Sequence, residues 1–162
     1  MKSLHNTLAS EVRQPATLLE QLFALGVMLT ASMDAGLAER GLTPARAELL
    51  WQLQRQPKRT QRELSQVLRC TPRNVTDLVD TLEASGLVVR EPHPTDRRAT
   101  LVALTRRGKS EVARMQAGSE ALADRLFAGL TSADLNAFAR VLDLILSRLG
   151  ETASFRAPDG MR

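Results

Sequence analysis

The chain has 162 residues and a net charge of +4, and its composition of 43% hydrophobic and 25% charged residues is typical of a soluble globular protein rather than a disordered or fibrous one. The single cysteine, Cys70, excludes an internal disulfide and a four-cysteine metal site within one chain. Residues 1–16 lack the apolar run of a signal peptide, and Leu18–Met33, interrupted by Glu20 and Gln21, is expected to be too short to span a membrane, which predicts a cytoplasmic protein.

The positive charge is concentrated in the middle third of the chain. Residues 55–110 contain twelve lysines or arginines and six acidic residues, whereas the remainder has ten basic and twelve acidic residues. Focused positive potential attracts polyanions such as nucleic acids. A solvated basic face has the same composition, so charge alone leaves both interpretations open.

Threonines mark the predicted helix starts. Thr60 followed by Glu63 predicts a capping box, and Thr71 followed by Pro72 places proline at the first position of a helix. Further predicted starts are Thr43, Thr105 and Thr131 with Asp134, and the predicted stops are Gly41, Gly86 and Gly150. The predicted helices are Pro15–Arg40, Pro44–Arg55, Gln61–Arg69, Pro72–Ser85, Arg106–Leu130 and Ser132–Leu149.

A hairpin is predicted between the fourth and fifth helices. Leu87–Arg90 and Thr100–Leu104 are short runs rich in β-branched residues, and the prolines in Glu91–Ala99 exclude a helix between them. Residues 1–14 and 151–162 lack periodicity and are expected to be flexible.

The two short helices are predicted to form a helix-turn-helix. Apolar residues mark one face of each helix, and only Cys70 and Thr71 separate them. The inner face of the first helix is Leu64, Val67 and Leu68, and that of the second is Val75, Leu78, Val79 and Leu82. Arg73 and Asn74 then lie at the end that enters a major groove, where arginine can read guanine and asparagine can read adenine. A similar two-helix corner occurs in proteins that never bind DNA.

The hairpin after the second helix would make a winged helix. Arg97 and Arg98 at its tip could enter a narrow minor groove, where the negative potential is enhanced. Asp96 is expected to pair with Arg98 and to orient its guanidinium group. An ordinary solvated turn also contains aspartate and proline, so the tip alone is a weak signal.

The segments Leu64–Arg90, Pro94–Ala99 and Leu104–Gly108 together resemble the multiple antibiotic resistance regulator (MarR) family of bacterial transcription factors. The shared motifs are a recognition helix that ends in Glu-x-x-Gly-Leu, an Asp-x-Arg wing, and a Leu-Thr-x-x-Gly return into a helix. Their order and spacing match together over about a third of the chain. The resemblance implies a winged helix-turn-helix at residues 43–104 and an all-helical dimerisation region at residues 15–42 and 105–150, that is, a mainly α protein with a small β-hairpin wing.

The resemblance also implies a homodimer that binds a pseudo-palindromic operator in double-stranded DNA. The first and last helices are apolar on several sides, which requires more than one partner surface. The predicted dimerisation residues are Leu18, Leu22, Leu25, Leu29, Leu135, Phe138, Leu142, Ile145 and Leu149. Arg73, Asn74 and Thr76 are expected to contact bases or adjacent phosphates, and Arg90 to contact the DNA backbone or brace the wing. The full predicted DNA-binding set is Thr71, Pro72, Arg73, Asn74, Thr76, Asp77, Arg90, Asp96, Arg97 and Arg98, with Lys58, Arg62 and Arg69 as positioning contacts.

Many relatives release DNA when a small aromatic or phenolic compound binds between the dimerisation helices and the winged lobe. The candidate lining residues are Phe23, Met28, Met33, Trp51 and Met115, although such residues are more often part of the core. Cys70 is expected to be a buried packing residue. His5 and His93 are too far apart in sequence to suggest a metal site, so no cofactor is predicted.

Two other classes of function were weighed against a DNA-binding repressor. The sequence has no Gly-rich phosphate loop, no nucleophile elbow and no His/Cys cluster, which argues against an enzyme. The alternative is a winged-helix module that binds protein or RNA without operator specificity. Specific duplex binding that weakens steeply with salt would separate the two.

Overall fold

The computed structural model describes residues 14–96 and 99–155, and for residues 151–155 the backbone alone. Six helices and three strands are present in this part of the chain. In order they are α1 Pro15–Ala38, α2 Pro44–Arg55, β1 Lys58–Thr60, α3 Gln61–Val67, α4 Pro72–Ala84, β2 Val88–Pro92, β3 Thr100–Leu104, α5 Arg106–Phe127 and α6 Ser132–Phe155. The mainly helical prediction with a small β wing is confirmed.

Side-chain caps fix the starts of α3 and α6. The Thr60 hydroxyl accepts from the backbone N–H of Glu63 at 3.2 Å, and the Glu63 carboxylate accepts from the Thr60 N–H at 2.7 Å, which completes the predicted capping box. Thr131 and Asp134 make the same reciprocal pair at 3.2 and 3.0 Å. The hydrogen bonds from the Thr60 backbone and hydroxyl lower the pKa of Glu63, and those from the Thr131 hydroxyl and backbone lower the pKa of Asp134.

The sheet has three strands rather than the two of the predicted hairpin. β3 is central and pairs with both β1 and β2 in antiparallel register. β1 was missed because three residues, Lys58–Thr60, are too few to show an alternating pattern. Pro92, expected in the loop, lies in β2 opposite Thr100, which is possible because β2 is an edge strand and needs no outward N–H.

The chain divides into two compact units, the first ending at Gln116 and the second beginning at Ala117. One buried core holds the first unit together. It comprises Leu42, Ala47, Leu49, Leu50, Leu53, Leu64, Val75, Val79, Leu82, Leu87, Val88, Val102, Leu104, Val112 and Met115. Val112 and Met115 belong to α5, so the winged domain predicted at residues 43–104 shares its core with the start of this helix.

The start of α5 is fixed to the residues that follow α4. The Thr105 hydroxyl donates to the Gly86 carbonyl at 2.7 Å and accepts from the Gly108 N–H at 3.0 Å. The Thr105 N–H donates to the Leu87 carbonyl at 3.1 Å. A Cβ atom on Gly108 would lie 2.0 Å from that Leu87 oxygen. The Leu-Thr-x-x-Gly motif therefore has a steric reason for its glycine.

In the second unit, α6 continues past the predicted end of the last helix. The helix runs through Gly150 to Phe155, because glycine lowers helix stability without forbidding a helix. Residues 151–155, expected to be flexible, are therefore helical, whereas 1–13 and 156–162 lie outside the described residues. The rings of Phe127 and Phe138 lie 6.1 Å apart, and this contact packs the end of α5 on α6.

Helix α1 has no buried residue in the isolated chain. Its 24 residues and mean hydropathy of 1.4 make it long and apolar enough, by length and composition alone, to cross a membrane. The expectation that this segment is too short was wrong, because the helix extends beyond Leu18–Met33 at both ends. A helix that packs against a partner surface meets the same criterion.

Candidate nucleic-acid interface

The turn between α3 and α4 is short and closed by backbone hydrogen bonds. The Cys70 N–H donates to the Ser65 carbonyl at 3.2 Å, and the Arg69 N–H donates to the Gln66 carbonyl at 3.3 Å. The Ser65 hydroxyl donates to the Cys70 carbonyl at 2.6 Å. Cys70 packs against the core as predicted, but it is half-buried rather than buried. The result is a compact helix-turn-helix.

Helix α4 separates apolar and polar faces as predicted. Val75, Val79 and Leu82 are buried, and Leu78 is partly buried against the same core. The N-terminal end is capped by Thr71, whose hydroxyl accepts from the Asn74 N–H at 3.3 Å. Four residues on the outward side of the first two turns are exposed: Pro72, Arg73, Asn74 and Asp77.

Thr76 is the exception among the residues of α4 predicted to face DNA. It is half-buried, its hydroxyl donates to the Pro72 carbonyl at 3.0 Å, and it lies 3.4 Å from the side-chain amide of Gln61. The side chain thus holds α4 against α3. A base contact by Thr76 stays a prediction, whereas its contacts inside the protein are present.

Arg90 connects the wing strand β2 to α4. Its guanidinium group forms ion pairs with Asp80 and Glu83, and its backbone N–H donates to Glu83 at 3.1 Å. With the Gln61 amide oxygen turned toward it, Arg90 also donates to Gln61 at 3.1 and 3.3 Å. Burial acts to lower the pKa of Arg90, and the hydrogen bonds to the two carboxylates outweigh it and raise that pKa. Arg90 was predicted either to contact the DNA backbone or to brace the wing, and these contacts fit the second role.

Sequence reasoning missed the role of Gln61 and the pairing of Arg90 with Asp80 and Glu83. Arg90 lies 7 residues from Glu83 and 10 from Asp80, across the turn at Gly86. The one available signal was charge complementarity between the end of a helix and the following strand.

The wing tip is folded around His93. Its Nδ1 accepts from the Asp96 N–H at 3.1 Å and from the Thr95 N–H at 3.3 Å. The His93 N–H donates to the Ala99 carbonyl at 3.3 Å, which closes the tip. Arg97 and Arg98 lie outside the described residues, and so does the predicted pairing of Arg98 with Asp96.

The predicted positioning cations differ in their partners. Lys58 forms an ion pair with Glu91 that crosses the central strand β3, so its charge is neutralised within the protein. Arg62, Arg69 and Arg73 are exposed, and none of them forms an ion pair with another residue in the described part of the chain. These three arginines, which we call the free arginines, lie at the start of α3, in the turn and at the start of α4. They leave positive charge available beside the exposed end of α4.

The predicted dimerisation residues have apolar side chains in contact with solvent in the isolated chain. Leu18, Leu25, Leu135, Phe138 and Leu149 are exposed. Leu22, Leu29, Leu142 and Ile145 are half-buried. Other large apolar residues of α1 and α6 are exposed beside them: Leu19, Val27, Val141, Leu144 and Leu146. Each of the two helices therefore presents a broad apolar surface.

The five predicted ligand-lining residues are in different environments. Met115 is in the buried core and Trp51 packs partly buried against it, whereas Phe23, Met28 and Met33 of α1 are 57–71% exposed. A groove of about 390 Å³ lies elsewhere, beside α4, and contains none of the five. It is lined by Ala45, Arg46, Glu48, Leu68, Cys70, Asn74, Asp77, Leu78 and Thr81. A groove of this kind combines residues from three elements, so no local sequence signal predicts it.

Taken together, α3, the turn, α4 and the β2–β3 wing define a winged helix-turn-helix protein. The family model described as MarR family matches residues 40–99. The chain is 30% identical over 120 residues to the HTH-type transcriptional repressor IacR of Pseudomonas putida. The aligned region covers 74% of this chain and 72% of the relative. The chain belongs to the MarR family.

Solved structures share this fold. The wild-type apo MarR protein of E. coli is 25% identical, with a TM-score of 0.64, and the match covers 85% of this chain and 99% of that one. FabT of Streptococcus pneumoniae, solved in complex with DNA, has a TM-score of 0.73 at 17% identity, covering 86% of this chain and 99% of the other. The second likeness concerns the fold alone.

Proposed function

We propose that the protein is a homodimeric transcriptional repressor that binds a pseudo-palindromic operator through its winged helix-turn-helix. The observation that carries the proposal is the exposed N-terminal end of α4 with the free arginines beside it. The other cations of this lobe considered above, Lys58 and Arg90, are neutralised by acidic partners. The name of the Pseudomonas relative, a transcriptional repressor, supports the same function.

The end of α4 supplies the groups that read bases. Arg73 and Asn74 are exposed on its first turn, and an arginine or asparagine that forms two hydrogen bonds to guanine or adenine contributes about 1–3 kcal/mol of discrimination. Thr71, Pro72 and Asp77 border them, and Thr71 caps the helix beside a phosphate. Helix N-termini favour anions, because their N–H groups point outward.

The wing supplies contacts to the minor groove. Arg98, oriented by Asp96, enters the groove, and Arg97 adds positive charge at the tip. Arg90 holds β2 to α4, so the wing and the recognition helix meet DNA in a fixed relation. Arg62 contacts a phosphate, which fixes the position of the protein on DNA but carries no sequence information.

A second copy of the chain covers the apolar surfaces of α1 and α6. Exposed apolar patches of this kind mark interaction sites, and twofold pairing closes such a surface with a copy of itself. Two winged lobes then bind half-sites about one helical turn apart. In the proposed dimer, protein rather than lipid covers the apolar surface of α1.

A small aromatic or phenolic ligand releases the operator. The candidate lining residues remain Phe23, Met28, Met33, Trp51 and Met115. Trp51 supplies the aromatic surface, and the three methionines adapt to the shape of the ligand. The protein has no catalytic role in this proposal.

The test of this function is binding of the full-length protein to the DNA that flanks its own gene. Footprinting should reveal a protected pseudo-palindrome, and affinity for it should fall steeply as salt rises while the preference over unrelated duplex persists. Equal affinity for every duplex, or a preference for RNA, contradicts the operator proposal and favours the protein- or RNA-binding module.

Replacing Arg73 by alanine is expected to relax base preference, whereas replacing Arg98 should weaken binding to all sequences. The first change removes about 1–3 kcal/mol of discrimination at one base position, because a two-point contact to guanine is lost. The second change removes a positively charged side chain that enters the minor groove at any sequence. Competition binding with single-base operator variants measures both effects. Unchanged binding by both variants contradicts the assignment of these two faces to DNA.

A further inference from the structure

Arg69 occupies a backbone conformation that side chains rarely adopt. Its φ is +49°, and among the non-glycine residues in the described part of the chain it alone has a positive φ. The hydrogen bonds from Cys70 to Ser65 and from Arg69 to Gln66 are those of a Schellman motif, in which the residue at this position is usually glycine. Glycine has no Cβ to crowd the following carbonyl, so arginine here is strained.

The Arg69 side chain does not offset this strain inside the protein. It is exposed and forms no ion pair or side-chain hydrogen bond with any other residue that the structure describes. The turn itself is closed by backbone bonds and by the Ser65 hydroxyl, none of which needs a side chain at position 69. The guanidinium group is therefore available for a partner outside the chain.

The position of Arg69 indicates the chemistry of that partner. It lies two residues before Thr71, the N-cap of α4, and Arg73 follows in the first turn of the helix. In a helix-turn-helix the first helix and the turn cross the nucleic-acid backbone while the second helix enters the groove. A cation in the turn thus meets phosphate oxygens rather than base edges.

We propose that Arg69 is a phosphate-binding residue, kept at a glycine-favouring position at the expense of stability. The inference rests on the proposed DNA-binding function and extends it, because it predicts that stability and affinity change in opposite directions. The backbone hydrogen bonds of the turn hold Arg69 in this conformation, and residues held in rarely populated conformations cluster at functional sites.

The test replaces Arg69 by asparagine, which tolerates the left-handed region and is uncharged. We expect Tm to rise by about 2–4 °C. Operator affinity should fall roughly tenfold, with base preference unchanged, and the slope of log K against log salt should fall by about 2, one phosphate per protomer.

Two control variants accompany this change. Arg69→Lys keeps both charge and strain and should retain the wild-type Tm and salt slope. Arg125→Gln removes one charge from the end of α5 and should leave the slope within about 0.5 of wild type. The inference is overturned if Arg69→Asn lowers Tm, which indicates a structural side chain, or if its salt slope equals that of the wild type. A wild-type protein without operator preference instead overturns the proposed function.

Discussion

Replacement of both Leu22 and Leu25 by glutamate is expected to give a monomer that no longer binds the operator. The two residues lie on the apolar surface of α1, which has no buried residue in the isolated chain. Burying four carboxylates in a twofold interface without partners costs several kcal/mol, so the dimer should dissociate. Specific binding should fall by about three orders of magnitude or more, toward the non-specific level of a single lobe. Sedimentation equilibrium and operator titration measure the two effects.

The matched control is the double change of Leu22 and Leu25 to methionine. It conserves side-chain volume and apolar character and should leave the dimer and its affinity nearly unchanged. A glutamate variant that stays dimeric contradicts the assignment of this surface to the interface. A monomeric variant that still binds the operator tightly shows that operator binding does not require the dimer.

Gly108→Ala should lower the free energy of unfolding by about 3 kcal/mol, since it places a methyl group against fixed backbone. The added Cβ would lie 2.0 Å from the Leu87 carbonyl oxygen and 3.2 Å from the Leu104 side chain. The carbonyl also accepts from the Thr105 N–H, so relief of the clash disturbs the attachment of α5 to the residues between α4 and β2. Urea denaturation followed by circular dichroism measures the loss.

Gly150→Ala provides the comparison for this substitution. Gly150 also lies within a helix, but an added Cβ meets no atom within 4 Å, so alanine should raise helix stability by roughly 0.5–1 kcal/mol. If Gly108→Ala leaves the protein as stable as Gly150→Ala does, the close approach to Leu87 does not require glycine at position 108.

Features that depend on neighbouring residues were predicted well from the sequence. The caps at Thr60 and Thr71 and the inner face of α4 follow from spacings of three or four residues, and the structure has them as expected. Helix ends were less accurate, because Gly150 permits a stop without imposing one.

Features that depend on contacts distant in sequence were not predicted. β1 exists because it pairs with β3, more than forty residues away, and its three residues contain no pattern of their own. Thr76 has the spacing of an outward residue, but its hydroxyl is engaged by Pro72 and it lies beside Gln61. The paired state of Lys58 likewise depends on Glu91 reaching across the sheet.

The joint formed by Thr105 and Gly108 bears on how a signal could reach DNA. The Thr105 hydroxyl and backbone N–H attach the start of α5 to the carbonyls of Gly86 and Leu87, which follow the recognition helix. The Thr105 N–H and Gly108 meet the Leu87 carbonyl backbone to backbone, so a change of side-chain rotamer cannot relieve a displacement at that point. We therefore expect a tilt at the start of α5 to displace the residues at the C-terminal end of α4 as well.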